Sequence, residues 1–308
     1  MRIREPWPSA RTRQRRREFA AVFDGVPAGG LGDGLEIGGG DGFLASLVAA
    51  HCRSFVTTDS YRPRLAEGEE AGTLRRLVCD ATVLPFADAS FDFIFSSSLL
   101  EHVRDRPAAY REMHRCLRPG GVMVHIMPSR TWKALQMLFY YPHIVIAGID
   151  LLLDRLLRPK PKTLPALGAP SKIQAYVDDR WSDKRSWSRS WKTIVEWIVP
   201  RPHGEFPGHA AEWRGFGVEA WEAEWKAAGF TIHRVMLLPL YSGYGFGFEW
   251  LRRLGERRGL SSHNAFVLTK PGETPPSLAW FEPQARLAGA AAQTNGGRPE
   301  GQPPPSIT

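Results

Sequence analysis

Short apolar runs alternate with amphipathic stretches along the first half of the chain. Runs at 34–37, 54–58, 77–79, 91–95 and 122–126 are brief and rich in Val, Ile, Leu and Phe, which predicts strands. Between them, 43–51, about 62–68 and 106–117 space their apolar residues as helices do, and Pro119-Gly120-Gly121 stops the last of them. Strands separated by helices of this length predict parallel β–α–β units in a doubly wound sheet. The alternation breaks at about 128 and resumes near 215. There a helix over 218–228 ends at Gly229, and two β-like runs follow at 231–238 and 263–269. No internal repeat interrupts this scheme.

The pattern divides the chain into five parts. Residues 1–30 hold a basic helix over 11–23, closed by Val26-Pro27-Ala28-Gly29-Gly30. Residues 31–130 form the core, 131–214 a helical insertion after the fifth strand, and 215–272 the end of the core sheet. From 273 to 308 the chain is rich in Pro, Gly, Ala and Gln with few large apolar residues, which predicts a disordered tail.

Within the insertion, 132–141 is strongly apolar, Pro142 interrupts it, and 143–157 resumes. In the second stretch His143, Asp150, Asp154 and Arg158 make a thin polar stripe, and Arg158-Pro159-Lys160-Pro161-Lys162 follows at once. An apolar helix pair with a basic flank suits an anionic membrane surface. It equally suits a lid over a site or a homodimer contact. A further amphipathic helix is expected over 186–199, with Trp187, Trp191, Ile194, Val195 and Ile198 on one face and Arg185, Arg189 and Lys192 elsewhere. No uninterrupted apolar run reaches the ~18 residues a spanning helix needs.

Charge adds to this picture. The chain carries a formal net charge of +8, and seven arginines fall between Arg2 and Arg17. That balance favours an anionic partner such as lipid, nucleic acid or a phosphorylated substrate. The arginines are not followed by an apolar segment of the kind that marks a secretory signal. Cys52, Cys79 and Cys116 lie far apart, with no CxxC and no histidine at metal-ligand spacing, so reduced thiols in a cytoplasmic protein and no metal are expected.

The candidate chemistry starts at Leu35-Glu36-Ile37-Gly38-Gly39-Gly40-Asp41-Gly42, between the first strand and the first core helix. Glycines there let backbone approach a ligand where a Cβ would collide. The dinucleotide pattern Gly-x-Gly-x-x-Gly would need glycine at Phe43, so a phosphate cradle is disfavoured. Asp59 stands at the end of the second strand, where an acidic side chain can accept two ribose hydroxyls. Asp80-Ala81 ends the third strand, where a carboxylate can accept from an amino group on an adenine and the next N–H can reach a ring nitrogen. Then come Leu84-Pro85-Phe86, Phe91-Asp92-Phe93-Ile94, Ser96-Ser97-Ser98-Leu99-Leu100-Glu101-His102-Val103 and Leu117-Arg118-Pro119-Gly120-Gly121.

This order and spacing resembles the ubiquinone/menaquinone-biosynthesis-type (type 11) branch of class I S-adenosyl-L-methionine (SAM)-dependent methyltransferases. The resemblance is specific over 31–130 and loose over 215–270. It implies an α/β, Rossmann-like fold: a seven-stranded, mostly parallel sheet flanked by helices, with the helical insertion after the fifth strand. It implies SAM as cofactor, with Glu36, Gly38, Gly40 and Gly42 as the methionine-side loop, Asp59 on the ribose, and Asp80 with Ala81 on the adenine. Ser97 and Ser98 would lie toward the methionine end and the acceptor. Position 39 usually holds a small residue in the family, and glycine is an easy replacement. His102 is also family-typical.

On the acceptor side, His203 and Glu205 fall on a glycine-bearing loop and, with His102, are the candidate catalytic residues. The acceptor expected is a small molecule or lipid-like compound, with the protein cytoplasmic and peripheral to the inner face of a membrane. A nucleic-acid methyltransferase would suit the charge, but Ser96-Ser97-Ser98 stands where amino-directed base methylation has Asn/Asp-Pro-Pro-aromatic. The rivals of other classes are a non-catalytic SAM-binding or interaction module and a nicotinamide-dependent dehydrogenase.

Overall fold

The computed structural model describes residues 7–61, 74–157, 202–241, 244 and 249–282. Its strands are β1 (Asp33–Ile37), β2 (Ser54–Asp59), β3 (Leu74–Val78), β4 (Phe91–Ser97), β5 (Leu117–Pro128), β6 (Thr231–Leu237) and β7 (His263–Thr269). They form one seven-stranded sheet in the order β3-β2-β1-β4-β5-β7-β6. Pairs from β3 through β5 are parallel, while β7 runs antiparallel to both β5 and β6. The parallel, doubly wound core expected from the alternation is present, as is the seven-stranded, mostly parallel sheet that the resemblance implies.

The period-two pattern sorts each strand between two cores. In β4, Phe93 and Phe95 face one side with Phe55 of β2 and Val124 of β5. Ile94 faces the other, with Leu35, Ile37, Met123 and two fully buried tryptophans, Trp221 and Trp225. Both faces of a parallel sheet must be covered, so helices lie on each. They are α1 (Trp7–Phe23), α2 (Phe43–Val48), α3 (Arg106–Cys116), α4 (Arg130–Leu157), α5 (His209–Gly215), α6 (Val218–Ala227) and α7 (Glu249–Arg257). Asp105 caps α3, accepting from the Ala108 N–H at 3.0 Å.

Several expectations need correction. The basic N-terminal helix is not a separate unit. Phe23 meets Phe93 and Phe95 edge-on at 6.1 and 5.6 Å, so α1 covers one face of the sheet, with Arg11, Arg13, Arg16 and Arg17 exposed and Arg15 turned inward. Pro142 does not divide the apolar stretch into a pair. Instead, α4 is one 28-residue helix with Pro142 inside it. A proline there removes one N–H bond, but the preceding turns are held by buried Lys133 and Tyr140. The expected tail boundary at 273 is also wrong. Residues Pro276–Phe281 form a 3-10 turn whose Phe281 is buried against Phe23, and the Arg234 guanidinium donates to the Phe281 carbonyl at 2.8 Å.

The third strand starts earlier than its apolar content suggested, at Leu74, because pairing with β2 carries Arg75 and Arg76 into the ladder. Around Pro119-Gly120-Gly121 the β4–β5 register shifts from Phe91↔Leu117 to Phe93↔Val122, so the expected stop is a bulge within β5. The helix near 62–68, the basic flank 158–162, the helix over 186–199 and the tail beyond 282 lie outside the described residues. Among the described residues no helix is long and apolar enough to cross a membrane.

Candidate functional site

Parallel strands deliver their carboxyl ends to one edge of the sheet, and a ligand crevice forms where the strand order reverses, here between β1 and β4. At the end of β1 the N–H groups of Gly38 and Gly39 donate to the Thr58 carbonyl of β2 at 2.7 and 2.9 Å. This clamps the base of the glycine loop. Gly40 sits at φ +58°, with open space where a Cβ would be, so bare backbone faces outward there. Gly39 is more than an easy replacement, because a Cβ would overlap the Thr57 hydroxyl. That hydroxyl donates to Glu36 Oε2 at 2.6 Å. Burial raises the Glu36 carboxyl to about 7, against the lowering effects of this bond and of the Arg15 charge.

Asp59 is buried at the end of β2 and holds the loop as well as facing the edge. Its Oδ2 accepts from the Gly40 N–H at 3.0 Å and its Oδ1 from the Tyr61 N–H at 2.9 Å. Asp80 is exposed, and its Oδ1 accepts from the Thr82 N–H at 2.8 Å and the Thr82 hydroxyl at 2.7 Å. These bonds hold the carboxyl below the usual range. Ala81 is half-buried beside it. Ser97 ends β4, and Ser98 turns the chain off the strand at φ +51°, with its N–H on the Ile126 carbonyl at 2.9 Å. Glu36, Gly38, Gly40, Gly42, Asp59, Asp80, Ala81, Ser97 and Ser98 thus all lie along the carboxyl edge of β1 to β4.

One residue at this edge had no sequence signal. Arg15 reaches from α1 to donate a short hydrogen bond to the Ser97 hydroxyl, and is itself largely buried. It is one of seven arginines between Arg2 and Arg17, and nothing in their spacing distinguishes it. Only the docking of α1, anchored by Phe23, singles it out.

The sharp turn at Ser98 leads into a 3-10 turn, Leu100–His102. His102 Nε2 lies 3.1 Å from His203 Nε2, and His203 Nε2 lies 3.8 Å from Glu101 Oε1. The loop carrying His203 is fixed by the Glu205 N–H, which donates to the Glu101 carbonyl at 2.8 Å. Trp132 of α4 packs edge-on against the His203 ring at 4.9 Å. The two candidate histidines therefore meet. Glu205 does not join them through its carboxylate, which is paired with Arg104 at 3.3 Å on the surface. Glu101, beside His102 in sequence, is fully buried and is not among the candidates that the sequence singles out.

A cleft of about 610 Å³ lined by Asp88, Arg111, His114, Arg115 and Lys270 opens at the opposite, amino-terminal edge of β4 and β5, and holds none of these residues.

Residues 35–125 match the methyltransferase domain family of type 11. An uncharacterized methyltransferase of Mycobacterium sp. (strain JLS) is 38% identical over 91 residues, 29% of this chain and 36% of that protein. The ubiquinone/menaquinone biosynthesis C-methyltransferase UbiE of Nitrosospira multiformis is 33% identical over 131 residues, 40% of this chain and 53% of that one. The chain thus spans about half or less of the length of these relatives. A SAM-dependent methyltransferase structure from Mesorhizobium loti superposes with a TM-score of 0.46 at 15% identity, covering 82% of this chain and 97% of that one.

Proposed function

We propose, on the premise that residues 35–125 are a class I SAM-dependent methyltransferase domain of the ubiquinone/menaquinone-biosynthesis (type 11) branch, that the chain methylates a small-molecule or lipid-like acceptor. The domain's cofactor is S-adenosyl-L-methionine. The observation that carries the proposal is the convergence of the glycine loop, Asp59, Asp80 and Ser97 on one sheet edge.

The residues present fit an adenosyl amino acid. Open backbone at Gly40 admits close approach without an anion cradle. Each Asp59 oxygen already takes one N–H and keeps lone pairs for ribose hydroxyls. Asp80 with Ala81 would hold the adenine. Arg15, which touches Ser97 and whose charge is felt by the buried Glu36, would hold the methionine carboxylate. Bound SAM supplies an electrophilic methyl group on a sulfonium. What remains for the protein is to align the acceptor with that group and to exclude water. On this reading Trp132 and Phe216, packed on His203, with Phe206 against Phe216, give the acceptor side an apolar wall.

A lipid-like acceptor and peripheral membrane contact are supported by one surface feature. Leu138, Tyr141, Val145 and Ile149 follow one another at one-turn spacing along α4 and are 65%, 48%, 60% and 51% exposed. An exposed apolar stripe on a helix beside the site suits insertion at a lipid–water boundary. Co-sedimentation with anionic vesicles should fall when Leu138 and Val145 are both replaced by Ser. Absence of binding to any vesicle would leave the stripe as a lid or dimer face.

Calorimetry with SAM and with NADH tests the main reading. Stoichiometric SAM binding that weakens in Arg15→Ala, with no heat from NADH, is the expected result. Tight NADH binding without SAM binding would overturn it. Transfer of label from methyl-tritiated SAM into a polar-lipid or quinone-precursor fraction then separates catalysis from mere binding.

A further inference from the structure

We infer that Glu101, His102 and His203 form a binding site for a divalent transition-metal cation of the zinc class. One oxygen of Glu101 and one nitrogen of each histidine lie within 4.8 Å of one another. A cation with bonds of about 2.0–2.2 Å to nitrogen and oxygen draws its ligand atoms to within about 4 Å of each other, so only a small rotation of the exposed His102 is needed. Two imidazoles and one carboxylate also match in kind, since imidazole suits zinc, iron and nickel better than magnesium or calcium.

Two further features point to a ligand. Glu101 is completely buried, yet neither of its carboxylate oxygens accepts a hydrogen bond. Leaving a buried carboxylate without partners costs more than the 1–3 kcal/mol typical of a neutral group. Its nearest cationic candidate among the described residues is His203, at 3.8 Å. The second feature is the orientation of the rings. His102 and His203 are tilted 75° to each other with centroids 4.5 Å apart, while their Nε2 atoms are 3.1 Å apart. The two nitrogens meet across the angle between the rings, close enough for one cation to take both in place of the bond between them. A cation there would satisfy both rings and the buried carboxylate at once.

The surroundings are rigid enough to hold such a site. Glu101 and His102 leave β4 through the Ser98 turn, and the His203 loop is tied back to the Glu101 carbonyl. Three protein ligands leave a position open for an outside oxygen. On the methyltransferase reading that oxygen belongs to the acceptor, and the cation would orient it and lower its pKa. This role rests on the proposed function, whereas the cation site itself does not.

The test uses the full chain, freed of any affinity tag and stripped with a chelator, titrated with Co(II) as a visible probe. One equivalent should bind with d–d absorption. Because changes in outer-shell partners alone cost 10–100-fold, loss of a direct ligand in His203→Ala or Glu101→Gln should weaken binding by roughly 100-fold or more. His114→Ala, far from the cluster, should bind as wild type. Cobalt should raise the melting temperature of wild type but not of Glu101→Gln, and metal-free Glu101→Gln should melt above metal-free wild type because the buried charge is gone. Silent titration of folded wild type, or full binding by both His203→Ala and Glu101→Gln, would overturn the site. SAM calorimetry on the same metal-free protein keeps this outcome distinct from failure of the methyltransferase reading.

Discussion

Glu18 on the first helix and His263 at the start of the last strand are joined by a 2.9 Å contact in the interior, so these two elements, far apart in sequence, lock together. Gln14 donates to the same carboxylate at 2.7 Å, and Arg15 lies 3.8 Å from it. The helix that presents Arg15 to Ser97 is thus held by a buried polar knot as well as by Phe23.

This knot makes stability pH-dependent. Burial acts to raise the Glu18 carboxyl, but the His263 and Arg15 charges outweigh it and hold the group below its ordinary 4.5. A depressed carboxyl contributes stability that is present above its unfolded value and lost as pH falls through the folded one. Glu18→Gln should therefore be less stable at pH 7 by about 3 kcal/mol, the lower end for breaking a buried pair. The gap should narrow as pH is taken below 4.5. Urea denaturation at pH 7 and pH 4 measures it, and equal gaps at both would remove the charge from the account.

Glu36 predicts the opposite slope. Its carboxyl is raised by burial from 4.5 to about 7. A raised acid contributes stability that is full below the unfolded value and lost as pH rises through the folded one. Glu36→Gln should melt with wild type near pH 4.5 and above it at pH 8, by several degrees. If the variant also binds SAM more weakly at pH 8, the ionised form is the one the cofactor uses.

Asp59→Ala removes the acceptor for the Gly40 and Tyr61 N–H groups and, on the proposed function, a partner for the ribose. SAM affinity should fall by roughly 1–3 kcal/mol. Asp80→Ala should cost less, because that carboxylate is exposed and engaged by its own turn. Calorimetry on both variants ranks them, and a larger loss at Asp80 would reverse the assignment of the two ends.

Phe281→Ala should destabilise by about 3–4 kcal/mol, as a fully buried phenylalanine does. Ending the chain after Lys270 should cost at least as much, since Arg234 also loses its carbonyl partner. Ending it after Glu282 should leave the melting temperature unchanged, because the apolar-poor composition beyond has little to bury. Thermal melts of the three proteins check this.

The sequence by itself determined the core elements and which candidate residues stand at their ends. Strand-forming runs are local, so Phe91 to Phe95 was legible as a strand, while its two faces were assigned by the cores that cover them. A glycine loop after a strand and acids at strand ends are also local, and parallel pairing brings such ends to one edge whatever the loops do. Tertiary structure alone decided which arginine of a basic run meets Ser97, that Phe281 belongs to the core, and that Pro142 leaves α4 whole. It alone brought His203 to Glu101 and His102 across about a hundred residues of chain, where no spacing rule for metal ligands reaches. The physical reason is shared by all these cases. Each depends on which surfaces dock, and docking energy comes from side chains distant in sequence, which a periodicity read along one chain does not relate to one another.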